Sequence, residues 1–222
     1  IVFVSTYPPS AGSLNEYAYH FVRFLRRKAD VQEVILLADE LPAGHSYGPD
    51  APTDSAPLTV LPSWPFGSWA NAIRIAAAIR RISPHLVFFN IQFATFGDGK
   101  LAAALGLLTP ALVKLLGFPT IVILHNIMET VDLENAGFAS NRVKALLIRS
   151  CGTLVTRCLL ATDLVALTIP TYVEIFEKKY LSNNVVLAPH ESFYQTPSPK
   201  FDPPDDPLRI LTFGNFFPYI RF

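Results

Sequence analysis

Short runs of β-branched and aromatic residues alternate along this chain with longer stretches whose apolar positions recur every three or four residues. Residues 1–5, 34–38, 85–91, 120–124, 163–168 and 184–188 are continuous apolar runs, too brief for helices and bounded by turn-forming residues. That pattern predicts strands buried on both faces. Between them, helical spacing covers residues 13–28, 70–82, 99–116, 142–160 and 171–180. The first of these lines up Leu14, Tyr17, Ala18, Phe21, Val22 and Leu25, with Arg23, Arg26 and Arg27 towards its end. Ser83-Pro84 stops the second, and Pro110 predicts a kink in the third. In residues 142–160 the expected inward face is Val143, Leu147, Cys151, Leu154, Val155 and Cys158. Residues 39–67 are rich in Pro and Gly and read as a long loop, with a strand-like island at 58–61.

Strand–helix–strand repetition of this kind predicts an α/β, Rossmann-like parallel sheet with helices on both faces. Ligands are then expected beyond the carboxyl ends of the strands. Residues 1–195 form the expected domain. Residues 196–207 hold five prolines and three aspartates and predict a stiff, extended linker. Residues 208–214 read as a new strand ending in glycine, so 208–222 is expected to open a second domain.

Composition narrows the partners. Of 222 residues, 50% are hydrophobic and 16% charged, enough for a large core. Lys plus Arg and Asp plus Glu are 18 each, a balance that argues against a nucleic-acid partner. Cys151 and Cys158 lie about 10 Å apart along a helix, too far for a disulfide, and are expected to be buried apolar thiols. The apolar stretch 101–117 contains Pro110 and Lys114 and reads as a buried helix, not a membrane span. No leader is read at the start, and a cytoplasmic protein is expected, with peripheral contact at the cytoplasmic face of a membrane open to it. The basic residues Arg142, Lys144, Arg149 and Arg157 do not share one stripe of their helix, which does not favour that contact.

The candidate chemistry sits after the strands. The loop Tyr7-Pro8-Pro9-Ser10-Ala11-Gly12-Ser13 leads into the first helix. Gly12 and Ser13 there serve equally as a turn and helix cap or as a place where a ligand meets the backbone. His125 and Asn126 follow a buried strand, where a histidine can bond a sugar hydroxyl or satisfy loop carbonyls. Asn90 and Gln92 end the neighbouring strand run, and His190 and Glu191 end the last one before the linker. Glu129, Asp132 and Glu134 make an acidic loop, expected to be solvated unless one carboxylate reaches a cleft. The chain lacks C-x-x-C, H-E-x-x-H, G-x-S-x-G, G-x-G-x-x-G and G-K-[ST] motifs, so the residues themselves give no sign of a metal or a cofactor.

In order and spacing these segments resemble the retaining nucleotide-sugar glycosyltransferases of GT-B fold, in the large family four. Val2-Phe3-Val4-Ser5-Thr6-Tyr7-Pro8-Pro9 with Gly12 is similar to that family's first strand and acceptor-side loop. Asn90-Ile91-Gln92-Phe93 resembles its H-x-Q strand end, and Leu124-His125-Asn126-Ile127 its H-D/N strand end. Asp163-Leu164-Val165-Ala166-Leu167 and Ala188-Pro189-His190 resemble its last strands. Ile210-Leu211-Thr212-Phe213-Gly214-Asn215 resembles the opening of its donor domain.

The resemblance implies a nucleotide-sugar donor, a sugar or lipid-linked acceptor, and no metal. His125 would contact the transferred sugar and stabilise charge as the nucleotide leaves. Gly12 and Ser13, with Asn90, Gln92, Asn126, His190 and Glu191, would line the substrate side. Gly214 and Asn215 would begin the donor side. The chain departs from the family pattern at Ser13, where a second glycine is common, and at Asn215, where Arg is common. Ile220-Arg221-Phe222 stands where Lys-Gly is expected, so these residues alone are not expected to catalyse transfer. A nucleotide-sugar 2-epimerase of the same architecture and a non-catalytic glycan-binding or scaffolding module remain open. A dinucleotide-dependent oxidoreductase is disfavoured by the missing glycine fingerprint.

Overall fold

The computed structural model describes residues 1–49, 55–130 and 142–190. The expected linker and second-domain strand, and with them Glu191, Gly214 and Asn215, lie outside the described residues, as do Asp132 and Glu134.

The elements run β1 (Val2–Val4), α1 (Asn15–Leu25), β2 (Val34–Asp39), β3 (Leu58–Trp64), α2 (Asn71–Ile82), β4 (Val87–Ile91), α3 (Lys100–Leu107) and α4 (Thr109–Leu115). Then follow β5 (Thr120–Leu124), a 3₁₀ turn (Met128–Thr130), α5 (Arg142–Leu160), β6 (Leu164–Leu167), α6 (Pro170–Tyr180) and β7 (Val185–Leu187). All seven strands pair in parallel in the order β3-β2-β1-β4-β5-β6-β7, the expected Rossmann-like α/β sheet. The chain moves one way from β1 to β3 and the other way from β4 to β7, so the direction switches between β1 and β4.

That switch distributes the helices. Right-handed crossovers put connections running in opposite directions on opposite faces. One face packs Val2, Val4, Phe89, Val122 and Val165 against α2 to α6 through Ile75, Ile79, Leu107, Val113, Leu159 and Phe176. On the other face Phe3, Leu36, Ile123 and Ala166 meet Ala18 and Val22 of α1.

Three elements differ from the expectation. The island at 58–61 is the start of a full edge strand, β3, which continues through Pro62 to Trp64. Pro62 is tolerated because an edge strand needs donors on one side only. The expected kinked helix over 99–116 is two helices, broken at Leu108, with Pro110 in the first turn of α4. A proline inside a continuous helix would strike the carbonyl one turn back, whereas its fixed φ suits a helix start.

The third difference is the rotation of α5. Ala145, Thr156 and Leu159 are buried, while Val143, Leu147, Cys151 and Leu154 of the expected inward face are exposed and Cys158 is half-buried. The cysteines are free thiols, and the expected burial fails for Cys151 outright. The docked face carries Ala145, Ile148, Gly152, Thr156 and Leu159 together with Val155 of the expected face, and a Cβ at Gly152 would lie 2.6 Å from Met128 Cγ. Close approach of backbone to neighbour thus outcompetes the larger apolar stripe. Among the described residues no helix is long and apolar enough to cross a membrane.

Candidate functional site

A parallel sheet gathers its strand ends at one edge, and the switch between β1 and β4 opens a crevice there. Ser5, the residue after β1, is fully buried, as is Asn90 near the end of β4. Asn90 Nδ2 donates to Ser5 Oγ at 2.9 Å, and Asn90 Oδ1 lies 2.6 Å from His125 Nε2. His125 Nδ1 in turn lies 3.2 Å from His190 Nε2. The ends of β1, β4, β5 and β7 are therefore joined in one hydrogen-bonded chain.

The donors and acceptors along it follow from its buried end. With Asn90 Nδ2 given to Ser5, its oxygen is left to accept, so His125 carries its proton on Nε2. His125 Nδ1 is then the acceptor, and His190 donates from Nε2. Tyr17 of α1 stands edge-on to both rings, at centroid distances of 4.6 Å to His125 and 5.1 Å to His190. Burial raises the pKa of the Tyr17 phenol.

Burial, and then the charge of His190, push the His125 imidazole down to about 4. His125 is neutral at neutral pH, so it is no fixed countercharge, and within the protein both its ring nitrogens are engaged. The exposed end of the chain is His190.

The remaining candidates ring this chain. Gln92 Nε2 donates to Ser13 Oγ, closing the β4 end onto the loop before α1. Ser13 is therefore not the helix cap: α1 starts after Leu14, whose N–H reaches Thr6 Oγ1 at 3.4 Å. Asn126 Oδ1 accepts from the Phe93 N–H at 3.1 Å, so Asn126 fixes the loop after β4. Gly12 has a packing reason to be glycine. A Cβ there would lie 2.3 Å from Thr6 Cγ2 and 2.6 Å from Thr6 Cβ.

Two participants, Asp39 and Tyr47, were not legible as site residues. Asp39, the last residue of β2, is buried and accepts from Ser10 Oγ. Tyr47 donates to the Asp39 carbonyl at 2.8 Å and to its carboxylate at 3.0 Å. Burial, with the Asp39 charge and hydrogen bond, raises the Tyr47 phenol far above its ordinary range. Together these groups brace the loop that carries Gly12 and Ser13. The available signal was an acid closing an apolar strand, which seldom goes inside unpartnered.

Glu129 is not a solvated acid. Its side chain is 5% exposed and sits 3.2 Å from Lys179 Nζ, with Tyr180 donating to the same oxygen. Burial would lower the Lys179 pKa, but the bonds to Tyr180 and Glu129 and their charges outweigh it and raise it. The carboxylate clasps the 3₁₀ turn to α6 and takes no part in the strand-end chain. A hollow of about 500 Å³ lies elsewhere, lined by Arg157, Lys179 and Asn184 near the amino ends of β6 and β7. Lys179 already serves Glu129, and Asn184 holds the Leu160 and Thr162 carbonyls. Among the described residues no group of three or more His, Cys, Asp or Glu side chains is placed to hold a metal ion.

No protein-family model matches the chain, and no curated protein matches it.

Proposed function

We propose that this chain is the acceptor-side half of a retaining, nucleotide-sugar-dependent glycosyltransferase. The observation that carries the proposal is the single hydrogen-bonded chain of Ser5, Asn90, His125 and His190 at the switch point of a parallel sheet. Such a crevice receives ligands in open α/β sheets, and its polar groups here suit hydroxyl-rich substrates. His125, held neutral, exchanges hydrogen bonds with a sugar hydroxyl when His190 gives way. Gln92 and Ser13 form the rim, and Asn126 positions the β4 loop. Residues from 208 onward, with Gly214 and Asn215, would take the nucleotide side. The donor is itself the activated group, so the reaction asks for no metal and no cofactor.

Calorimetric titration of the full-length protein with UDP-, GDP- and ADP-sugars tests this reading, followed by assignment of the product anomer. Binding of one donor, with turnover that falls at least tenfold in His125→Asn and retains the anomeric configuration, is expected. If no donor binds and no sugar is transferred, the proposal is wrong.

One observation favours a second reading. Both nitrogens of His125 are consumed inside the protein, as suits a module that binds a glycan without transferring it. Oligosaccharide binding that needs no nucleotide sugar, and yields no product, would select that module.

A further inference from the structure

We infer that Thr168 is a second sugar-binding residue at the strand-end chain, and that with His125 it receives two neighbouring hydroxyls of one sugar. The inference rests on the glycosyltransferase reading and narrows its ligand to a sugar carrying a vicinal diol. Thr168 directly follows β6, is 4% exposed, and its Oγ1 meets no hydrogen-bond partner among the described residues. A buried hydroxyl without a partner is costly, so it calls for an occupant.

The usual local uses of a threonine hydroxyl are not met here. Thr120, Thr130 and Thr162 each give theirs to a carbonyl two or three residues back, and Thr168 does not. Nor does it cap α6, whose start at Pro170 carries no side-chain cap. Asn71 Oδ1, Thr109 Oγ1, Glu129 Oε2 and Ser182 Oγ are also unpartnered. Asn71 and Glu129 are held through their other side-chain atom, however, while Thr109 opens α4 and Ser182 precedes β7, away from the strand ends. Thr168 alone among them follows a strand that lies between those of His125 and His190.

Register sets Thr168 beside His125. β5 and β6 pair Leu124 with Leu167, so the next residues along the two strands are His125 and Thr168. Neighbouring strands lie about 4.8 Å apart. Alternation puts both residues on the face of Ile123 and Ala166, where Tyr17 of α1 stands against the rings of His125 and His190. The Ala188 N–H donates to the Leu167 carbonyl at 2.8 Å, which carries the β6–β7 pairing one step past the strand end. The contact between His125 and His190 joins β5 to β7 and so crosses the end of β6, where Thr168 stands. A sugar that displaces the exposed His190 therefore frees His125 Nδ1 and uncovers the Thr168 hydroxyl together. One hydroxyl would serve only one of these groups. A vicinal pair serves both, with His125 Nδ1 accepting from the first hydroxyl and Thr168 donating to the oxygen of the second.

Calorimetric titration of full-length wild type, Thr168→Val and Thr168→Ser with UDP-, GDP- and ADP-sugars tests the assignment. Thr168→Val keeps the shape of the side chain and removes the hydroxyl. The donor that binds the wild type should bind Thr168→Val about tenfold more weakly, and Thr168→Ser within about twofold of the wild type. The urea midpoint of Thr168→Val should equal or exceed that of the wild type, because a methyl group needs no partner. Among monodeoxy forms of the same donor, one should bind wild type and Thr168→Val equally, which identifies the hydroxyl that Thr168 meets. The inference is overturned, with the glycosyltransferase reading intact, if the wild type binds and transfers a sugar and Thr168→Val does so equally well. A lowered urea midpoint in Thr168→Val would assign the hydroxyl to the fold and overturn it likewise. If the wild type binds none of the donors and transfers no sugar, the glycosyltransferase reading falls and the inference falls with it.

Discussion

Two regions of this molecule reverse the usual partition of polar and apolar groups, for different reasons. At the carboxyl edge Ser5 and Asn90 are buried, and His125 is half-buried. On α5, Val143, Leu146, Leu147 and Leu154 face outward. The polar groups are inside because each finds a partner in the next, so desolvation is offset by hydrogen bonds. The apolar groups are outside because the opposite face of α5 packs on the core through Val155 and Leu159 and sets Gly152 close against Met128 of the 3₁₀ turn. Burial thus follows the available partner and the available space, and polarity alone ranks neither region.

Breaking the buried polar chain should have the largest effect. Asn90→Ala removes the partner of the buried Ser5 Oγ and of the half-buried His125 Nε2 and should cost about 3 kcal/mol, read as a lower urea midpoint at unchanged m-value. Asn90→Asp distinguishes lost partners from lost volume, since it keeps the shape and changes the charge.

Acid should act on the same chain. His125 has its pKa lowered to about 4 in the fold, against 6.5 for the unfolded group. Above the unfolded value both states are neutral. Between the two values the unfolded chain binds a proton that the native state refuses. This group's contribution to stability is therefore complete above 6.5 and is lost as pH falls to about 4, by roughly 3 kcal/mol in all. Denaturation midpoints measured across that window should slope less in His125→Asn than in the wild type, and equal slopes would contradict the buried neutral imidazole.

Gly12→Ala should cost about 2 kcal/mol, because the new methyl overlaps Thr6, whose hydroxyl is committed to the Leu14 N–H. Thr6→Ser in the same chain removes Cγ2 but leaves Cβ at 2.6 Å, so it should rescue only part of the loss. A full cost with no rescue would mean that the strain lies in the backbone.

The smallest effect sharpens the contrast. Leu147→Ser on the exposed side of α5 should change stability by no more than about 0.5 kcal/mol. Had the helix faced inward as its leucines suggested, truncating one would cost about 2–5 kcal/mol. Thermal denaturation of this single variant therefore reports the rotation of α5 directly.

Much of the architecture was legible because it depends on local period and on turn residues. β5 runs over Thr120–Leu124 as the apolar run implied, and α2 ends at Ile82 where Ser83-Pro84 predicted. Ser83 makes that stop by taking a left-handed φ of 51°. The position of the candidate residues was legible too, since a parallel sheet must present its strand-end residues along one edge. That reasoning brings Ser13, Asn90, Gln92, His125, Asn126 and His190 to the same edge.

What they do to each other was decided by tertiary structure alone. The links from Asn90 to Ser5, Asn90 to His125 and His125 to His190 span 85, 35 and 65 residues. No local pattern encodes which nitrogen meets which oxygen over such separations. The same holds for the burial of Glu129 against Lys179 and for the rotation of α5, where a glycine facing Met128 outweighed a stripe of leucines. Periodicity tells which residues share a face of a helix or strand. Whether that face turns inward depends on the shape and partners of what it meets, and those come together only when the chain has folded.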